Sequence, residues 1–414
     1  MTHSFYLGPK KARFTPSSWD DIVTAAGDGL LDEGHWVELK KDLPPKGASA
    51  NTELARDLAS LSVDGGSFII GIEDNKGQAG DVTGAKIDGL ASRLDATAQA
   101  RVDPPLAITI DTFKNPDDPE MGVLVVTVPA SAGAPHMVDG SYWGRGDEGK
   151  RKLSNSEVRR LMDQRGRDDD AFRQKVDSVM EFIGMEPLKA GAGYLQLIAE
   201  PVAPPNGDSV FDVIGTSHPI QVFSNLIRWR LTWPGLKSLS YRLLHADGLG
   251  AASFGPQIPV DYDEFRVAFL IGESGTWRVA SGSAVRPIGG IGDRQSGPTV
   301  FSGGAALELT HSSLAALADF ATNVFPINSE WRIGVRVTGL QGIQAIEAHT
   351  DRMSGATFPP FAHAEFVKTT SASTQELVDE PGRVTERILR PLLRALGVDR
   401  RYFPYASIED LANR

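Results

Sequence analysis

Glu33, Glu38 and Lys40 lie within the stretch EGHWVELKK, residues 33–41, and Glu73 and Asp74 close the apolar run SFIIGIED, residues 67–74. Carboxylates suit hard divalent cations such as Mg2+ or Mn2+, which favour oxygen ligands and keep several waters, so two or three carboxylates suffice. A lysine two residues from such a carboxylate can offset charge on an attacked phosphate or orient the water. Together these are the parts of a phosphodiester-cleaving site. HWVELKK alternates in strand fashion. Glu38 and Lys40 then share one face, and Val37 and Leu39 the other. The same pattern also suits a plain exposed strand face with a cross-neighbour ion pair, and the tripeptide alone does not choose. Read as one strand, SFIIGIED puts Phe68, Ile70, Ile72 and Asp74 on one face and Ile69, Gly71 and Glu73 on the other. Only one of the acidic pair can therefore join a given site. The end of a buried strand is where open sheets bind ligands. A strand running out into the polar turn EDNKG accounts for the pair as well.

A basic segment stands against this acidic background: Arg145, Lys150, Arg151, Lys152, Arg159, Arg160, Arg165 and Arg167. A hairpin and the helix after it could place these side chains on phosphates. The competing reading is a solvated helix face balanced by Asp163 and by Asp168, Asp169 and Asp170. Other chemistries find no support. There is no G-x-x-x-x-G-K-[ST] loop for phosphate and no G-x-S-x-G elbow for a serine nucleophile. The absence of cysteine removes disulfides, thiolate metal sites and cysteine nucleophiles together. The eight histidines include no H-x-x-x-H pair.

The elements that would position these residues can be read from periodicity. A helix is expected in PSSWDDIVTAA. NTELARDLASLS has Leu54, Leu58 and Leu61 at helical spacing, with Asn51 as its cap, and Gly65-Gly66 ends it. GVLVVTVPA reads as a buried strand, Asp139-Gly140 as a turn and SYWGRG as a strand. SNSEVRRLMDQRG opens a helix with a Ser154/Glu157 capping box, and GRDDDAFRQKVDSVMEF reads as a charged helical connector. Beyond about Gly184 the chain turns to Pro, Gly and short strands, with helices at SSLAALADFATNVF and RVTERILRPLLRALGV. In the last of these Val384, Ile388, Leu392 and Leu396 form an apolar face, and Pro391 should kink or shorten it. The division expected is a lead-in over 1–30, a first domain over 31–165, a helical linker over 166–185 and a second domain over 186–414.

The ordered set EGHWVELK, helix, SVDGGSFIIGIED, PPLAITI, VLVVTVP and SYWGRGDEGKRKLSNSEVRRL resembles the Schlafen-type AlbA-like domain, from about Glu33 to Arg165. The resemblance rests on E-x-x-x-x-E-x-K followed by a helix, a glycine pair, an apolar strand and an acidic pair. It implies an α+β fold: a mixed-sheet Schlafen/AlbA-like domain, then a strand-rich α+β domain and a C-terminal helix. It also implies a metal-dependent RNA endonuclease acting on transfer RNA or other structured RNA, in stress or anti-phage defence, with Mg2+ or Mn2+ on Glu33, Glu38 and Asp74. Lys40 joins these as a catalytic group, and Glu73 is set aside. Arg145, Lys150, Arg151, Lys152 and Arg159 are the nucleic-acid contacts expected. DNA remains open as a substrate. The alternative function is a non-catalytic nucleic-acid-binding or nucleotide-sensing regulator.

The 414 residues suffice for two or three domains. Their 41% hydrophobic and 23% charged content is that of a folded chain. No apolar run approaches the roughly 20 residues a spanning helix needs. With no signal-peptide core in MTHSFYLGPKKARF, a cytoplasmic protein without a membrane partner is expected. A net charge of −11 argues mildly against a general nucleic-acid coat protein, but not against an enzyme that carries its own cation. The single acidic lobe and the apolar terminal helix together predict a homodimer or higher symmetric oligomer.

Overall fold

The computed structural model describes residues 5, 7–8, 11, 14–146, 149–189, 192–202, 210–214, 219–227, 239–256, 262–288, 297–325, 327, 329–351, 355 and 357–402. The fold is α+β. Internal contacts divide it into two units: Met1–Asp169 with Val202–Gly207 and Pro326–Glu330, and Asp170–Pro201 with Asp208–Phe325 and Trp331–Arg414.

In the first unit, α1 (Trp19–Gly27) opens with a capping box between Ser18 and Asp21. Next come β1 (Val37–Lys40), α2 (Ala48–Leu61), β2 (Gly66–Ile70), β3 (Ile72–Asn75), β4 (Gln78–Val82) and β5 (Ala85–Lys86). Then follow α3 (Leu90–Arg101), β6 (Thr109–Lys114) and β7 (Met121–Val128). β1 runs parallel to β2, while β2, β5 and β6 all lie antiparallel to β7. The two-residue period of the strands gives this sheet two apolar faces. Leu54, Leu58 and Leu61 of α2, with Leu94 and Ala98 of α3, cover Phe68, Ile70, Leu124 and Val126. Ile22 and Ala26 of α1, with Leu31, cover Val37, Leu39, Ile69, Val123 and Val125. Each such aliphatic side chain contributes about 1.5–3 kcal/mol by leaving water. The alternation expected for HWVELKK is present, but the Glu38 face lies under α2 and is buried rather than solvated.

Two local expectations change. Asn51 does not cap α2. Gly47 stands at that position, and Asn51 sits a turn inside, where its Oδ1 accepts a 2.9 Å hydrogen bond from Arg93 Nε of α3. SFIIGIED is not one strand. Gly71 takes a φ of 110°, and a Cβ there would lie 2.9 Å from the Gly122 carbonyl oxygen and 3.1 Å from the Gly84 Cα. Glycine alone permits both the turn and the close approach. β2 stops there, and β3 pairs with β4 in a separate hairpin closed by Lys76 and Gly77, both at positive φ.

β8 (Met137–Val138), β9 (Ser141–Gly146) and β10 (Gly149–Lys152) form a small antiparallel sheet, and Asp139-Gly140 makes its first turn with both residues at positive φ. α4 (Asn155–Asp177) opens with the expected box: Ser154 N donates to Glu157 Oε2 at 2.8 Å, and Glu157 N donates to Ser154 Oγ at 3.3 Å. It runs unbroken through Gly166, so the helix and the connector expected from the sequence are one element.

The second unit holds α5 (Val179–Ile183), β11 (Leu195–Pro201), α6 (Val210–Ile214), α7 (Pro219–Ile227), β12 (Tyr241–His245) and β13 (Gly248–Ala252). It continues with β14 (Val267–Gly272), β15 (Trp277–Ser281), β16 (Val285–Pro287), β17 (Thr299–Phe301), α8 (Gly303–Asp319) and β18 (Glu330–Val337). β19 (Gln344–Ala345), α9 (Glu347–Thr350), β20 (Phe366–Ser373), α10 (Thr374–Asp379), α11 (Pro381–Ala395) and α12 (Asp399–Tyr402) complete it. Seven strands form one sheet in the order β12-β13-β14-β15-β11-β18-β20. α11 passes through Pro391 to Ala395 and is not shortened there. Val384, Ile388, Leu392 and Leu396 are all 0% exposed, packed where α11 meets α8 and β20. The apolar face of α11 is thus covered within its own unit and needs no partner copy for its burial. Among the described residues, no helix is long and apolar enough to cross a membrane.

Candidate functional site

Four elements build the acidic patch. β1 carries Glu38 and Lys40 on the face beneath α2, and Lys40 Nζ donates to Glu38 Oε1. The loop before β1 brings in Glu33, whose backbone N–H donates to the Gly77 carbonyl at 2.9 Å. That bond docks Glu33 against the β3–β4 turn. There Asp74 Oδ1 accepts from Gly77 N at 2.7 Å, so Gly77 ties the two acidic residues to one place. Glu73 turns elsewhere and pairs with Lys41. Asp74 and Glu73 thus point to different partners, as their opposite faces required, although the strand on which those faces were drawn is broken at Gly71.

Electrostatics separates the carboxylates. Glu33 is pushed up to about 7, first by burial and then by the charges of Glu38 and Asp74. Glu38 goes the other way. Its burial alone would raise it, but the hydrogen bonds and charges of Lys40 and Arg145 outweigh that and hold it below the ordinary range. Burial likewise opposes the charge on Lys40, and Glu38, with Asp57 and Glu33, overcomes it and raises the ammonium. A patch with more acid than it can ionise comfortably is one a cation would relieve. Among the described residues, however, no three histidine or carboxylate side chains already form a metal-holding group. Lys40 and Arg145 meanwhile occupy both oxygens of Glu38.

The Schlafen, AlbA_2 family model matches residues 33–154. This segment is a Schlafen AlbA_2 domain. No curated protein matches the chain. Among solved structures, the DIP2311 protein from Corynebacterium diphtheriae aligns at 16% identity and a TM-score of 0.26, over 50% of this chain and 37% of that one. The N-terminal domain of a RecG-related protein from Nitrosomonas europaea aligns at 17% identity and 0.24, over 32% and 90%. This chain thus spans little more than a third of the DIP2311 protein. Neither likeness is close enough to bear on what this chain does.

The basic residues of the Schlafen domain have different fates. Arg145 is the clearest correction. Its side chain is 1% exposed, its Nη1 donates to Glu38 Oε2 at 2.6 Å, and its Nη2 donates to the Gly34 and Val37 carbonyls at 2.8 and 3.2 Å. It braces the loop that carries Glu33 and is not turned toward a phosphate. Lys150 lies opposite Arg145 across the hairpin, on the side facing α2. Its ammonium is 2.5 Å from Asp57 Oδ1 and 3.1 Å from Glu53 Oε2. Arg151 points to the other side and makes a bidentate pair with Glu157 at 3.0 and 2.6 Å. Lys152 stands over the Trp143 ring at 5.7 Å, and Arg56 lies 5.0 Å from the same ring. Arg159 is exposed on α4. Of the five basic residues expected to meet nucleic acid, Lys152 and Arg159 are the exposed ones that make no ion pair among the described residues.

Asp57 was missed. It sits on α2 amid the leucines Leu54, Leu58 and Leu61, whose spacing, with Asn51, is what the sequence makes plain of that helix. The signal available was Glu53 and Asp57, four apart, which places two acids on one helix face.

Proposed function

We propose that residues 33–154 act on RNA as a Schlafen-type metal-dependent endonuclease, with a folded RNA such as transfer RNA as substrate and stress or anti-phage defence as the setting. The observation that carries this reading is that Glu33 lies within reach of the charges of both Glu38 and Asp74, beside the Lys40–Glu38 pair, and so keeps its proton to about pH 7. The donor chemistry fits Mg2+ or Mn2+: carboxylate oxygens from three separate elements, short of positive charge. Glu33, Glu38 and Asp74 would hold the ion. When bound, such an ion supplies Lewis-acid polarisation of a phosphate oxygen. Loading would displace the Glu33 proton and ask Lys40 to release one oxygen of Glu38. Freed from it, the Lys40 ammonium would offset charge on the attacked phosphate.

Asp74 is the residue with which to test this, because it is exposed and its loss leaves no buried charge. Transfer RNA is incubated with Mg2+ or Mn2+ and the wild-type chain or Asp74→Asn. Cleavage lost in the variant supports the reading; equal cleavage in both places the activity elsewhere. A second reading has its own observation. Glu38 is buried in a pair with Arg145, so it also organises the sheet. A domain that binds RNA without cutting it under any divalent ion would be the nucleic-acid-binding regulator instead.

A further inference from the structure

Asp57 is a buried carboxylate in a helix that packs by leucines. It is 4% exposed, and α2 has no packing need for an acid there: a small apolar residue would bury as well without the desolvation cost. Its carboxylate ends on the Lys150 ammonium at 2.5 Å. Lys150 lies opposite Arg145 across the hairpin, and Arg145 in turn holds Glu38, the partner of Lys40. Glu53, one turn earlier, holds the same ammonium at 3.1 Å. Lys150 and Lys40 are each anchored by carboxylates but not sealed, with side chains 24% and 38% exposed. Two lysines thus belong to one charge cluster, one from β1 held by Glu38 and one from β10 held by Asp57 and Glu53.

We propose that Asp57 is a positioning residue of this site: it fixes the Lys150 ammonium in the Lys40 cluster, so that the two seat a phosphate of the RNA backbone at the carboxylates. This rests on the RNA reading above. Asp57 touches no substrate and acts through Lys150.

The test is binding of a labelled single-stranded RNA to the full chain in EDTA, across a salt series, so that no cleavage enters. Each phosphate that the protein ceases to neutralise lowers the salt slope by ~0.7. Lys150→Gln should reduce the slope by about that much, Asp57→Asn the same, and the double variant no more than either single, because the two residues act as one unit. Asp57→Glu, which keeps the charge, should restore the slope. The proposal is overturned if Lys150→Gln leaves the slope unchanged, if the two reductions add, or if Asp57→Asn lowers the melting temperature while keeping the slope. Should Asp57→Asn fail to fold, Asp57→Glu with the wild-type slope beside Lys150→Gln with a reduced one supports the proposal. A reduced slope in neither, or in Asp57→Glu as well, overturns it. A DNA strand of the same sequence bound more tightly than the RNA overturns the substrate assignment. A wild-type chain that shows these slopes but cuts no RNA with Mg2+ or Mn2+ removes the nuclease and leaves the role of Asp57 standing.

Discussion

The two units each bury an acid beside an arginine, and they use it differently. In the second unit Asp263 accepts from the backbone N–H groups of Leu188 and Lys189 at 2.9 and 3.2 Å and from the Tyr194 hydroxyl. Arg266 lies 3.8 Å away, over the Phe254 ring at 4.2 Å, and also donates to the Glu186 carbonyl. Two of the three donors to Asp263 are fixed backbone, and the carboxylate stands alone among them. In the first unit the donors to Glu38 are side chains, the sealed Arg145 and the partly exposed Lys40, and a second acid, Glu33, lies beside it. The former arrangement is a lock for the chain between α5 and β11. The latter keeps unmet demand for positive charge. Buried charge alone therefore does not mark a site; what sets this one apart is a further acid, Glu33, crowded beside the compensated Glu38 and pushed up by its charge.

That contrast can be broken most forcefully by deleting the acids themselves. Asp263→Ala should cost ~3–5 kcal/mol of stability, since Arg266 and two amides lose their partner. Glu38→Ala should cost a similar amount through the stranded Arg145. Chemical denaturation measures both, and a loss below ~1 kcal/mol in either would mean that the pocket refills or rehydrates. Next in size is Asp74→Asn, which should reduce cleavage at least ~100-fold while leaving the melting temperature in place. A fall in both together would make Asp74 a structural residue.

A smaller effect comes from pH. The folded state holds the Glu33 proton to about 7, whereas the unfolded chain releases it near 4.5. Stability is therefore unpenalised below 4.5 and is lost as pH rises toward 7. Glu33→Gln should melt higher than wild type above pH 7, with the gap closing as pH falls to 4.5. Added Mn2+ should narrow the gap at high pH, because it gives the carboxylate a partner. A gap independent of pH would deny the crowding. Smallest is the change expected from Lys152→Gln with Arg159→Gln, a drop of ~0.7 in RNA salt slope for each phosphate engaged. An unchanged slope would return both to a solvated surface.

The order of elements in the first unit was legible because its signals are local: a capping box at Ser154, glycine turns, and period-two alternation in VELK. The acidic triplet of Glu33, Glu38 and Asp74 was proposed from the family resemblance, because spacing along the chain alone left Glu73 and Asp74 equal. What sequence withheld depended on tertiary facing. Arg145 and Lys150 face the same side of one hairpin, yet one is sealed and the other half-open, because Arg145 reaches in to Glu38 and the Gly34 and Val37 carbonyls whereas Lys150 ends on Glu53 and Asp57 of α2. Arg151 differs from both by one residue of register and meets Glu157 instead. The break at Gly71 was hidden since a glycine inside an apolar run reads as strand until its neighbours, Gly84 and Gly122, are known to crowd it.

That break sets where the sensitivity of the site lies. Glu38 belongs to a sheet packed on both faces, but Asp74 rides on a short hairpin whose register slips between Ile72 and Asp74. The hairpin turns through Lys76, a side-chain-bearing residue at a φ of 57°, a backbone that asparagine or glycine adopts more readily. Stiffening that turn would improve preorganisation without touching any ligand. On the cation reading proposed above, affinity would be tuned from a two-residue loop, where homologous chains could drift between tight and feeble binding while every acidic residue stayed the same.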